Sequence, residues 1–235
     1  MPVRLESVYL ANVLLYINAV ETIMAFPFVS RNCYEATLTL KMNPVAFSKS
    51  PGQILKLFPN INTMVVDELS SFDERDELPD TVTALVVGFL HFEGLSEKQL
   101  RFADRVVEIQ GFNSTDKHPT DFSIFPNLKR LTLAFDLEKL VLPTHKLKRL
   151  TVRWERTSTG LNFLFPSEWA EHTIVTYRLP EVFSEAKTMT LPPNVHVFCS
   201  EIDEGVAPED FLLWKSPGEI TLSDGFGADD LCAFN

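Results

Sequence analysis

Few side chains in this sequence are spaced for reaction chemistry. Four of the five histidines, His91, His118, His145 and His172, recur at a constant interval of 27 residues. A row of equally spaced imidazoles could bind metal or relay protons only if the chain returned to the same place at that interval. The strand period read below is shorter, so the four fall at different points of successive repeats and their spacing is coincidence. His196-x-x-Cys199 offers two metal-ligand types, but no second pair stands at metal-site spacing. A buried strand residue and its neighbour account for it. The phosphate-cradling G-x-x-x-x-G-K-[ST], the dinucleotide G-x-G-x-x-G and the nucleophile elbow G-x-S-x-G do not occur. Asp224-Gly-Phe-Gly shares only letters with a kinase metal-binding triplet, and the acid clusters near Asp73 and Asp229 lack the order of a calcium loop. Catalysis is not expected, and no cofactor or metal is implied.

Recognition is the chemistry the remaining residues suit. Between Pro126 and Arg156 stand eight basic residues against Asp136, Glu138 and Glu155, in a chain whose formal net charge is −11. Seven acids fall between Asp67 and Asp80, and nine from Glu201 onward. Such runs are either solvated faces or, for the basic stretch, a patch for an acidic partner. An acidic chain is not steered to phosphate backbones, so nucleic acid is not an expected partner. The candidate binding residues are Arg130, Thr132, Arg149, Thr151, Arg153 and Trp154. A guanidinium fork pairs carboxylates and an indole buries a large area.

What must position them is a repeated phrase. Leu128-Lys-Arg-Leu131-Thr-Leu133 recurs as Leu147-Lys-Arg-Leu150-Thr-Val152, and Phe125-Pro-Asn-Leu128 echoes Phe58-Pro-Asn-Ile61. With the second Leu of L-x-x-L-x-L as marker, the series is Met64, Leu85, Val107, Leu131, Leu150, Ile174 and Met189, at intervals of 21, 22, 24, 19, 24 and 15. The phrase resembles the strand segment of leucine-rich repeats, in which alternate residues enter a stacked core and those between face outward. The outward rows are then Thr63, Ala84, Arg130 and Arg149, followed by Val65, Val86, Glu108, Thr132 and Thr151. Where such repeats carry a turn-closing Asn or Cys, this chain has Leu69, Leu90, Phe112, Asp136 and Glu155. Turns closed by apolar packing rather than an Asn ladder are expected. The fold class is α/β, an irregular leucine-rich-repeat solenoid with a curved parallel sheet. A non-repeat α/β fold is the alternative.

The first residues differ. Leu10, Val13, Leu14, Ile17, Val20 and Ile23 form a helical stripe, and Pro27 interrupts it or opens a second helix, so residues 1 to about 40 read as two or three short helices. Ser50-Pro51 starts a further helix through Leu57. This stripe, followed by Val29-Ser30-Arg31-x-Cys33, resembles the F-box, in particular the divergent F-box-like caps of amoebal leucine-rich-repeat proteins. The opening Leu-Pro is Leu5-Glu6 here and the closing Trp is Cys33. The resemblance implies docking on the small adaptor of an SCF-type ubiquitin ligase through Leu5, Leu10, Val13, Leu14, Ile17, Pro27 and Val29, with the repeats holding substrate. Otherwise the helices only cap the first repeat.

Residues 1–45 are thus expected to be an F-box-like helical cap, 46–200 the repeats and 201–235 a C-terminal cap, with Glu219–Leu222 a last strand and Trp214 and Phe226 covering it. No stretch has the unbroken apolar core of a signal peptide or a membrane span, and Cys33, Cys199 and Cys232 fit no disulfide framework. No membrane partner is expected, and the location is cytoplasmic, with the nucleus open. The function expected is non-enzymatic protein binding, with a structural scaffold lacking any ubiquitin link as the alternative and an enzyme of unfamiliar type behind both.

Overall fold

The computed structural model describes residues 6–45, 47, 49–73, 76–91, 97–113, 120–133, 140–154, 169–177, 194–199 and 220–222. Contacts divide the chain into two units, residues 1–117 with 124–127, and residues 118–123 with 128–235. The first unit begins with helices α1 (Ser7–Leu15), α2 (Val20–Val29) and α3 (Arg31–Thr39). Three short helices stand within the two or three read from the sequence, although the stripe from Leu10 to Ile23 is shared between two of them, because the chain breaks between α1 and α2. The amides of Tyr16 and Ile17 bond back to Val13 and Leu14, tightening the last turn, and Ala19 is extended. The break lets two short helices pack on α3 separately, Ala11 and Leu14 from one and Ile23 and Phe26 from the other. Pro27 interrupts nothing. It sits inside α2, which ends two residues later, so the backbone bond it removes lies in the final turn. Extended Ser30 then caps α3, its Oγ accepting from the Cys33 amide at 3.2 Å. Helix α4 (Pro51–Leu57) starts where Ser50-Pro51 predicts, although the Ser50 side chain makes no capping bond.

Strands β1 (Thr63–Val66), β2 (Ala84–Val87), β3 (Leu90–His91), the short helix α5 (Glu97–Leu100), β4 (Val106–Ile109) and β5 (Phe112–Asn113) follow. β1, β2 and β4 are parallel neighbours, as are β3 and β5. Met64, Val66, Leu85 and Val87 are buried to the last few per cent, each burial contributing about 1.5–3 kcal/mol. Met64 pairs with Leu85 as the phrase predicts. Leu85 pairs with Val106, however, and an irregularity then sets Glu108 against Val86, so the marker is Val106 and not Val107. Two adjacent valines give the pattern no means of choosing, and the fully buried one is Val106.

Some turns dock on their predecessors through a doubled bond. The Lys41 carbonyl accepts the amides of Asn62 and Thr63, and the Asn62 carbonyl those of Thr83 and Ala84. Leu69, Leu90 and Phe112 are buried, so apolar residues do fill the turns after the strands. Asparagine takes a different part, which the sequence reading does not include. The asparagines act before the strands, each donating Nδ2 to a carbonyl one turn back: Asn60 to Leu38 at 2.9 Å and Asn127 to Asp104 at 2.6 Å. Asn43, fully buried, replaces a strand residue altogether. Its Nδ2 donates to the Val65 carbonyl at 2.9 Å, and its Oδ1 accepts from the Val65 amide at 2.8 Å. The adjoining Pro44 has no amide to continue a ladder beyond the Met42–Thr63 bridge, and it holds Asn43 extended. The side-chain amide thus closes the outer edge of β1.

In the second unit β6 (Thr120–Asp121) pairs with β8 (Leu140–Val141), both parallel. β7 (Arg130–Leu133), β9 (Leu147–Trp154), β10 (Ala170–Tyr177), β11 (Val195–Cys199) and β12 (Ile220–Leu222) form one parallel series in that order. Leu131 pairs with Leu150 as predicted, but Leu150 pairs with Thr173 and not Ile174. Thr173 is buried, the β-branched shape of valine in a core row, so a marker chosen for hydrophobicity lands one residue late. The predicted marker Met189 lies outside the described residues, and the partner of Thr173 is Val195. Asn194 donates to the Ala170 carbonyl at 2.9 Å, as Asn60 and Asn127 do in the first unit. β12 falls within the predicted Glu219–Leu222 strand, while Trp214 and Phe226 lie outside the described residues. The protein is a mixed α/β chain, N-terminal helices followed by parallel strands stacked as a β-solenoid. Among the described residues no helix is long and apolar enough to cross a membrane.

Candidate protein-interaction surfaces

Two surfaces stand out, one in each unit. In the second unit, register brings the central arginines together. Arg130 pairs with Arg149, and Arg149 with His172, so three cationic or titratable side chains occupy one row across β7, β9 and β10. Thr132 and Thr151 stand side by side in the next row, with Ile174 beyond them. Arg130 and His172 are exposed, and Arg149, Thr132 and Thr151 half-buried. Period-two alternation puts Arg153 on the same face as Arg149 and Thr151, in register with Thr176. Trp154 pairs with Tyr177 and shares the parity of buried Val152, so it does not belong to the arginine row. The side chains of Arg153 and Trp154 lie outside the described residues.

The outward rows differ in the first unit. Val65 and Val86, expected on the exposed face, are buried. Valines there are as apolar as the core-facing ones, so only the threonines and charges of the later strands leave that row open. The equally spaced histidines do not converge. His91 lies 3.3 Å from a Glu68 carboxylate oxygen beside the Phe89 ring, His145 Nε2 is 2.6 Å from the Leu128 carbonyl, and His118 is outside the described residues. His172 was not among the candidate residues. The signal that finds it is the position one residue before the buried Thr173, which the offset marker hid.

The second surface belongs to α1, α2 and α3. Phe28 is 87% exposed, Tyr16 77% and Val29 73%, with Val8, Tyr9, Val13, Met24 and Tyr34 also more than half exposed. Tyr9, Val13 and Tyr16 follow one another at the i, i+4, i+7 spacing of one face of α1, and Met24 and Phe28 at i, i+4 on α2. Of the residues implied by the F-box resemblance, Val13 and Val29 are on this surface. Leu10, Ile17 and Pro27 are half-buried, and Leu5 lies outside the described residues. Leu14 is 0% exposed and belongs to the core of the helices, where α1 packs on α3. Tyr9, Tyr16 and Phe28 are not among those named residues but lie in the stretches Leu5 to Tyr16 and Pro27 to Arg31 where the resemblance places the adaptor, and a helical count from Val13 reaches Tyr9 and Tyr16.

Among the described residues no group of three or more His, Cys, Asp or Glu side chains could hold a metal ion. No family model matches the chain, and neither a curated protein nor a solved structure is similar to it.

Proposed function

We propose that this chain is a non-enzymatic protein-binding module of leucine-rich-repeat type, acting in the cytoplasm or nucleus. The strand face at Arg130, Thr132, Arg149 and Thr151 holds one protein partner, and helices α1 to α3 dock on another. The observation that carries the reading is the exposed apolar set on the helices, with Phe28 87% exposed. Lone surface apolar residues need no explanation, but a cluster on three adjoining helices is what a protein interface covers. With the F-box resemblance, the partner at the helices is the small adaptor of an SCF-type ligase, and the chain is its substrate receptor.

A second reading makes the helices a cap and the protein a scaffold without ubiquitin chemistry. It is favoured by the bonds tying the helical end to the first strand, from Asn60 to Leu38 and from Asn43 to Val65. Those bonds also make deletion of the helices a poor test. The full chain, co-expressed with an SCF-type small adaptor and run on a sizing column, is expected to co-elute with it. Phe28→Glu and Val29→Glu should abolish co-elution while leaving the circular dichroism unchanged. Absence of co-elution by the unaltered chain would sink the ligase form and leave the scaffold.

A further inference from the structure

We propose that the Arg130–Arg149–His172 row takes a phosphorylated serine or threonine of a partner protein, and not merely an acidic segment. The inference rests on the strand-face reading above and names the ligand of that face. Arg130 and Arg149 are direct ladder partners, and His172 is the next member of the row. Neighbouring strands stand about 4.8 Å apart, so the two guanidinium stems rise side by side on one face. The fold keeps this pair in a chain with 32 Asp and Glu against 21 Lys and Arg. Acidic residues are thus the commoner charge, yet none occupies either position.

The two arginines fit a larger anion better than a carboxylate. One carboxylate presents two oxygens and one charge, which a single guanidinium fork satisfies in bidentate fashion. A phosphorylated side chain carries about −1.5 to −2 charge and three acceptor oxygens. It can accept a fork from each arginine, leaving an oxygen for His172 or for a hydroxyl of the Thr132–Thr151 row. That row lies two residues along the same strands, about 7 Å away. The phosphate of a nucleic acid offers similar oxygens, but a molecule with net charge −11 repels an extended polyanion. A single phosphorylated residue meets only the local row.

The test uses the full chain and three labelled degenerate peptide pools that differ at one central residue: phosphothreonine, glutamate or threonine. Binding is read by fluorescence anisotropy. The phosphothreonine pool should bind about 10- to 100-fold more tightly than the glutamate pool, the gain of one or two charge-assisted hydrogen bonds. Inorganic phosphate should displace it. Arg130→Glu and Arg149→Glu should each abolish the preference with the melting temperature preserved, and Arg149→Lys, which keeps charge but loses the fork, should reduce it. Equal binding of the phosphothreonine and glutamate pools would overturn the inference and leave the face as a reader of acidic segments. Binding of none of the three would overturn the strand-face reading with it. Tighter binding of a single-stranded oligonucleotide than of the phosphothreonine pool would also refute the proposal.

Discussion

Replacing Asn43 with alanine should be the most damaging single change of a polar side chain in the first unit. Asn43 is fully buried, and both halves of its amide engage one residue, Val65, at 2.9 and 2.8 Å. Val65 is itself buried. Alanine at 43 leaves its amide and carbonyl without partners, and each stranded buried group costs about 1–3 kcal/mol. A water entering the vacated space would recover part of this, so the expected loss is about 2–4 kcal/mol. For a chain of 235 residues that corresponds to a fall in melting temperature of about 4–16 °C. Asn43→Asp should be no milder, because its second oxygen would face the Val65 carbonyl and a charge would be buried. Asn60→Ala is the control. Its one bond to Leu38 is exposed, and its loss should cost about 0.5–1.5 kcal/mol. Urea titration followed by far-ultraviolet circular dichroism measures all three. If Asn43→Ala cost no more than Asn60→Ala, the view that a side chain stands in for a strand at the edge of β1 would be refuted.

Arg105 invites a similar comparison. Its Nη1 donates to the carbonyls of Val82 at 2.9 Å, Pro79 at 3.0 Å and Leu78 at 3.4 Å, holding the segment before β2 from the turn beyond it. Arg105→Lys should lower stability by about 1–2 kcal/mol, since a lysine ammonium ends one bond short of Nη1 and cannot reach all three carbonyls; an unchanged urea midpoint would count against that role. At the other surface, Arg149→Glu converts a like-charge ladder pair with Arg130 into an opposite-charge one. Stability is expected to stay within about 0.5 kcal/mol by calorimetry, alongside loss of ligand binding, and a clear destabilisation would show that Arg149 serves the fold and not a ligand.

Where the buried letters are large aliphatics the sequence reveals its register, as at Met64 against Leu85 and Leu131 against Leu150. It conceals the register where side-chain type does not distinguish neighbours. Val106 and Val107 are identical, and Thr173 occupies a core row that its neighbour Ile174 suits better by hydrophobicity. That single offset also hid His172 from the arginine row. The asparagines were legible as part of Phe58-Pro59-Asn60 and Phe125-Pro126-Asn127, but their use depends on which carbonyl lies one turn back, a fact of packing. The helical stripe misled differently. Leu14 faces inward and Val13 outward, because neighbouring helical positions stand about 100° apart and only part of an apolar stripe can face the α3 contact.

The ties between turns have a mechanical consequence. The doubled bonds to Lys41 and Asn62, and the asparagine bonds to Leu38, Asp104 and Ala170, each span one turn. Coupling of this kind is between nearest neighbours. Met64, Leu85 and Val106 set the turn at 21 residues, or about 70 Å of extended chain. Tension applied at an end would therefore release one such length at a time, and the load would pass to the next turn with its own bonds intact. A bound partner that bridges β7, β9 and β10 would weld three of these steps into one, so its presence could be read as a single longer release.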